Sequence, residues 1–121
     1  MLSDGGASIE RIRELFHAVD ARKWAELQRF FHEEIVYERP GYAAFVGFRR
    51  VAAFYEHERV VADGINHLKT IIVDGQRGAC MGSFVGRHRT GAAIDEAFAD
   101  FYEFRDGLIV YRKSFFFRPA I

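Results

Sequence analysis

Cysteine, proline and net charge are what this sequence has least of, and each shortage narrows the functions open to it. Cys80 is the single cysteine, so no internal disulfide can brace the chain and a disulfide-stapled scaffold is excluded. Only two prolines occur and no low-complexity tract separates them, so no linker or repeat divides the chain. Seventeen basic residues balance seventeen acidic ones. The basic clusters Arg49-Arg50, Arg87-His88-Arg89 and Arg112-Lys113 are short and scattered, which argues against nucleic acid as a partner. No apolar run long enough for a signal peptide or membrane span opens the sequence, so no membrane association is expected and a cytoplasmic location follows by default.

Motifs for bound groups are also missing. His17, His32, His57, His67 and His88 are dispersed, and none stands at a spacing that pre-forms a metal site. There is no Gly-rich phosphate loop, nucleophile elbow or activated cysteine motif, so no cofactor is implied. Cys80, between Ala79 and Met81, reads as a small buried hydrophobe.

What is present is apolar and aromatic. Half of the 121 residues are hydrophobic and 16% are aromatic, enough for one domain over residues 1–121 that buries roughly two thirds of its unfolded surface. The hydrophobic period changes once along the chain. Ile9, Ile12, Leu15, Phe16 and Val19 recur at helical spacing after Ser8, and Trp24, Leu27, Phe30 and Phe31 continue on a second helix beyond a break near Asp20-Ala21. Ile35 to Arg39 reads as a short strand stopped by Pro40-Gly41, and a third helix runs from about Arg49 to Val61, ended by Asp63-Gly64. Strands follow over Asn66 to Val73, Gly78 to Arg87 and Ala92 to Phe104, with a returning strand after Gly107.

The last hairpin carries the chemistry. Arg105-Asp106-Gly107 suits a three-residue loop closed by glycine at positive φ. Phe104 then pairs with Leu108, Tyr102 with Val110, Asp100 with Arg112 and Phe98 with Ser114, all on one face. With a two-residue loop, Asp106-Gly107, the partner of Asp100 becomes Lys113, so a basic neighbour survives in either register. The opposite face carries Phe101, Ile109, Tyr111, Phe115 and Phe117. A sheet apolar on both faces must be covered twice, by helices on one side and by a second copy on the other, so a homodimer through the outer face of the sheet is expected.

Helices first and long antiparallel strands afterwards make an α+β domain, a curved sheet around a helical layer. This order resembles the cone-shaped fold shared by nuclear transport factor 2, ketosteroid isomerase and the SnoaL-like polyketide cyclases. The resemblance covers nearly the whole chain. It rests on Ala18-Val-Asp-Ala-Arg-Lys-Trp24, Val36-Tyr-Glu-Arg-Pro-Gly41, Val46-Gly47 and Ala99-Asp-Phe-Tyr-Glu-Phe-Arg-Asp-Gly107. It implies three N-terminal helices packed on a curved antiparallel or mixed sheet that encloses a hydrophobic cavity. It does not choose a chemistry, because the scaffold hosts isomerases, dehydratases, cyclases, epoxide hydrolases and proteins without catalysis.

Ketosteroid isomerase uses an aspartate base with a tyrosine and a protonated aspartate as oxyanion donors. By the resemblance, the base falls at Arg39 and the tyrosine at Leu15, and only the second aspartate has a counterpart, Asp100. Steroid isomerisation by that mechanism is therefore disfavoured. The SnoaL-like cyclases, which resemble it better, imply one acidic residue in this strand acting as acid and base on a polyketide's activated carbon. Beside a guanidinium, Asp100 is expected to be a carboxylate, a base rather than an oxyanion donor. Arg112 is its partner, and His67, on a strand expected to line the cavity, completes the candidate catalytic set as a proton shuttle. Tyr37, Arg39, Tyr42 and Tyr102 are candidate polar contacts for a small hydrophobic carbonyl ligand, with Leu15 and Phe116 as apolar wall. Each reading has a plainer alternative: a cross-strand ion pair for Asp100 and Arg112, a solvated strand-end histidine for His67, and core rings with wet hydroxyls for the tyrosines.

Overall fold

A computed structural model describes residues 6–118. The first amphipathic period forms helix α1, Ile9–Asp20, whose cap Ser8 accepts a 3.2 Å hydrogen bond from the Arg11 amide. Ile12, Leu15, Phe16 and Val19 turn inward at i, i+3, i+4 and i+7, the stripe a helix needs to dock on a sheet. Arg22 at φ 57° ends this layer.

The expected second helix is a six-residue 3-10 helix, Trp24–Arg29, and Phe31 opens strand β1, Phe31–Glu38. The reason lies in its partner. β1 pairs in parallel with the last strand, Tyr37 beside Arg112, and that ladder claims Phe31 before a helix can continue through it. β2 is the two-residue strand Phe45–Val46. The third expected helix is shorter than Arg49 to Val61: α2, Phe48–Ala53, passes into a π-helical turn over Phe54–Glu58, closed by the Arg59 amide on the Phe54 carbonyl at 2.9 Å. Asp63-Gly64, expected to stop that helix, instead lie inside strand β3.

Four long strands complete the sheet: β3 Val61–Asp74, β4 Arg77–His88, β5 Ala93–Arg105 and β6 Leu108–Phe116. The order is β2-β1-β6-β5-β4-β3, antiparallel except for β1 with β6. Bulges in β3 between Val61 and Asp63 and between Leu68 and Thr70 bend the sheet towards α1. Gly64 sits under the Phe84 ring, where a Cβ would collide with it.

The β5–β6 hairpin follows neither expected register throughout. Asp106 and Gly107, at φ 57° and 77°, form a two-residue loop, so Arg105 pairs with Leu108 and Phe104 with Ile109. Both residues lie at positive φ, as a type I′ turn requires. A bulge then passes over Val110, after which Tyr102 pairs with Arg112 and Asp100 with Ser114. Without it Lys113 would face Asp100; the extra residue returns Arg112 to the inner face as a diagonal neighbour. Ile109, expected outside, is consequently buried in the core. No helix among the described residues is long and apolar enough to cross a membrane.

Candidate functional site

The alternation of β5 and β6 carries Asp100, Arg112 and Ser114 to the concave face, opposite Phe16 of α1 and Tyr55 of the π turn. Asp100 is only 2% exposed. Its Oδ2 accepts three hydrogen bonds, from the Tyr102 hydroxyl at 2.8 Å and from Arg112 Nε and Nη2 at 3.0 and 2.8 Å. Oδ1 is buried and has no hydrogen-bond partner among the described residues. A buried oxygen left unpaired is costly enough to ask for a reason.

Arg112 holds the site together. Its Nη1 donates to the Tyr55 hydroxyl at 2.9 Å, and its guanidinium lies 4.7 Å from the centre of the Tyr37 ring. Burial works against its charge, but Asp100 and the surrounding tyrosines outweigh burial and hold Arg112 well above the ordinary arginine value. Tyr37 lies on the inner face of β1 and Arg39, just beyond the strand's end, turns to the same side; Arg39 Nη1 donates to Tyr37 Oη at 2.8 Å, and that oxygen lies 2.7 Å from Ser114 Oγ.

The tyrosines differ in electrostatic setting. Burial, with Asp100 adding to it, pushes Tyr102 well above the ordinary phenol value. Burial also raises Tyr37 against the pull of Arg112 and Arg39. Burial would raise Tyr55 too, but Arg112, Arg39 and Arg59 together overcome it and lower the Tyr55 hydroxyl. Tyr55 accepts from Arg112, and its own proton meets no acceptor among the described residues. It is therefore available to a ligand.

These groups border a pocket of about 30 Å³ walled by Asp100, Arg112, Arg39, Tyr55, Arg59 and Phe116 together with further phenylalanines. Of the residues expected here from sequence, Asp100, Arg112, Arg39 and Phe116 line it. Tyr37 and Tyr102 stand behind the wall and act through Arg39 and Asp100. Leu15 is fully buried core. Tyr42 borders a separate shallow groove with Glu38 and Lys113, its ring 5.2 Å from that of Phe54. His67 is exposed and mid-strand rather than at a strand end. The expectation that it faces the cavity fails because side chains alternate across a strand, and its neighbour Asn66 takes the inward position, hydrogen-bonded to Asp20 at 2.6 and 3.0 Å.

Sequence reasoning missed Tyr55, Arg59, Glu96 and Asn66. Tyr55 and Arg59 both lie within the stretch read as helical, and the π turn, which reorients both, has no local signature. An arginine immediately before Val60 and Val61 was the one available hint. Among the described residues no group of three or more His, Cys, Asp or Glu is placed to hold a metal ion.

Comparison with known proteins gives a consistent picture. The model of the SnoaL-like domain family matches residues 12–112. No curated protein matches by sequence. Similar solved structures include an NTF2-like protein from Burkholderia pseudomallei (18% identity, 89% of this chain and 88% of that one, TM-score 0.82). A provisionally assigned SnoaL-like polyketide cyclase from Jannaschia sp. CCS1 is 12% identical, over 90% of this chain and 84% of that one, at TM-score 0.80. An LEH-like epoxide hydrolase from M. tuberculosis is 17% identical, over 89% and 80%, at TM-score 0.78. At these identities the likeness speaks for the fold.

Proposed function

The chain belongs to the SnoaL-like domain family, and we propose that it is a cofactor-independent small-molecule enzyme of the cyclase or isomerase class, with Asp100 as its acid/base. The observation that carries this is the division of labour within one carboxylate: Oδ2 is tied to three donors while buried Oδ1, beside the pocket, has none. Oδ1 takes a proton from a carbon next to the substrate carbonyl, the C–H electron pair moves to the carbonyl oxygen, and the resulting enolate is met by the Tyr55 hydroxyl and the neighbouring guanidinium groups. The same proton, returned to another carbon, completes an isomerisation; attack of the enolate carbon on a second carbonyl, whose oxygen takes the electron pair of its C=O bond and then the proton from Asp100, completes a cyclisation. Tyr55 replaces His67, Tyr42 and Tyr102 as the proton donor.

The pocket as it stands is the size of about two water molecules, far below the several hundred Å³ of an ordinary ligand site. A substrate enters by displacing half-buried Phe116. This small volume favours the second reading, a binding or structural domain without catalysis. A dehydratase would use the same carboxylate. A second copy of the chain, in this reading, covers the outer face of the sheet.

The test is exchange for deuterium of the protons next to the carbonyl of 4-oxopentanoate, followed by NMR. The protein should accelerate exchange over buffer, and Asp100→Asn should lose that acceleration by about 10²-fold or more. Because this substitution leaves Arg112 buried without its counter-charge, the paired variant Asp100→Asn with Arg112→Met is measured alongside, with circular dichroism to confirm folding. Unchanged exchange in a folded Asp100 variant ends the catalytic reading.

A further inference from the structure

We infer that the ligand of this pocket carries its own carboxylate, and that Arg59 is the residue that binds it. The inference rests on the pocket being a ligand site, not on Asp100 acting as a base. Arg59 follows the π turn and is 8% exposed. Its guanidinium lies 5.5 Å from the Tyr55 ring centre and 5.8 Å from that of Phe84. Flanked by two rings, it borders the same pocket as Asp100. Its Nε is buried without a hydrogen-bond partner, and no described carboxylate forms an ion pair with it.

Every acid around the pocket is already engaged. Asp100 is held by Arg112. Glu96 receives the Arg118 amide at 3.1 Å and its Nε at 3.0 Å. Both oxygens of Asp20 hold Asn66. Arg59 therefore contributes a nine-tenths buried charge with no ion-pair partner among the described residues. Burial works against that charge first of all, Arg39 and Arg112 press in the same direction, and Tyr55 and Tyr37 only partly oppose them. A buried cation without an ion pair is costly, and the ring contacts and the charge of Asp20, which reaches it without pairing, offset only part of that.

A planar pair of oxygens satisfies the guanidinium fork best. Of the planar and tetrahedral anions that could do so, the pocket favours a singly charged carboxylate, because Asp100 and Glu96 line the same walls and would repel a dianion. The substrate class is thereby narrowed to oxo acids, with the acid group on Arg59 and the carbonyl towards Tyr55 and Asp100. Neutral ketones and esters lack the group that this arginine requires.

Trp24, the chain's only tryptophan, stacks on Tyr55 with ring centres 5.6 Å apart, so its fluorescence reports binding. The experiment titrates the protein with the straight-chain carboxylates from acetate to hexanoate and with 4-oxopentanoate, each beside its uncharged amide, at millimolar concentration. The acids should bind at least about tenfold tighter than their amides. Arg59→Gln and Arg59→Met should abolish that preference while Arg59→Lys retains part of it. Equal affinity for acid and amide, no binding by any acid, or a preference that survives Arg59→Gln overturns the inference. Failure of the parent protein to accelerate proton exchange, with the Arg59-dependent preference intact, would overturn the catalytic reading alone.

Discussion

The two oxygens of Asp100 show how much a single residue's surroundings decide. Sequence alternation is enough to put Asp100 and Arg112 near each other, but only the packed structure shows one oxygen saturated and the other unpaired. Cys80, directly across the ladder from Asp100, is exposed to the same field. Burial first, and the charge of Asp100 second, push its thiol up to about 11. A group whose folded value is raised stabilises the fold below its unfolded value and loses that contribution as pH climbs through the folded one. Urea unfolding should therefore show stability declining between pH 9 and 11, by roughly 2 kcal/mol from this residue. Tyr102 shifts in the same direction at still higher pH. Cys80→Ala should flatten the decline over that range; an equally steep decline in the variant contradicts the assignment. Tyr55 and Arg59 were illegible at this scale, since no residue type announces that a helix will widen by one residue and turn it inward.

Among the elements, β3 and β4 do more than their length suggests. Their strand character is plain from the sequence, whereas the bulges that curve them are not, because a bulge is a property of a pair of strands. Gly64 is the point at which this curvature meets the pocket. The Phe84 ring lies over its backbone where a Cβ would stand, and the same ring flanks Arg59. Gly64→Ala should displace Phe84 and destabilise the fold by about 1–3 kcal/mol, read from the urea midpoint. It should also weaken acid binding through Arg59. A variant as stable as the parent would show that the ring can move aside without loss. In the β5–β6 hairpin the turn residues were legible and the ladder was not, since Val110 looks like any other strand residue.

The whole molecule leaves an apolar surface on the side of the sheet away from the pocket. Met81 pairs with Ala99 and Ala99 with Phe115, while Ile72 pairs with Ala79 and Ala79 with Phe101. These two neighbouring rows cross the outer face, and Ile72, Met81 and Phe115 are each about half exposed or more. A patch of this kind seldom stays in water, and a two-fold copy of the chain would cover it with the same residues on both sides. Sedimentation should show a dimer. Met81→Glu or Phe115→Glu, placing a charge in the middle of the patch, should raise the dissociation constant at least about 100-fold while leaving acid binding in the pocket intact. A parent protein that sediments as a monomer at micromolar concentration rules this arrangement out.

By itself the sequence determined what depends on near neighbours: the amphipathic stripe of α1, the alternation of the long strands, a tight turn closed by Gly107 though not its length, and an aspartate and an arginine brought close by one hairpin. Those features, taken together, also carried the family resemblance. Tertiary structure decided which of two adjacent residues looks inward. Asn66 rather than His67, Arg112 rather than Lys113 and the inward turn of Arg59 each hang on a bulge, a register or a π turn. Such choices are made by pairing and packing between segments distant in the chain, and a shift of one residue reverses every side chain beyond it.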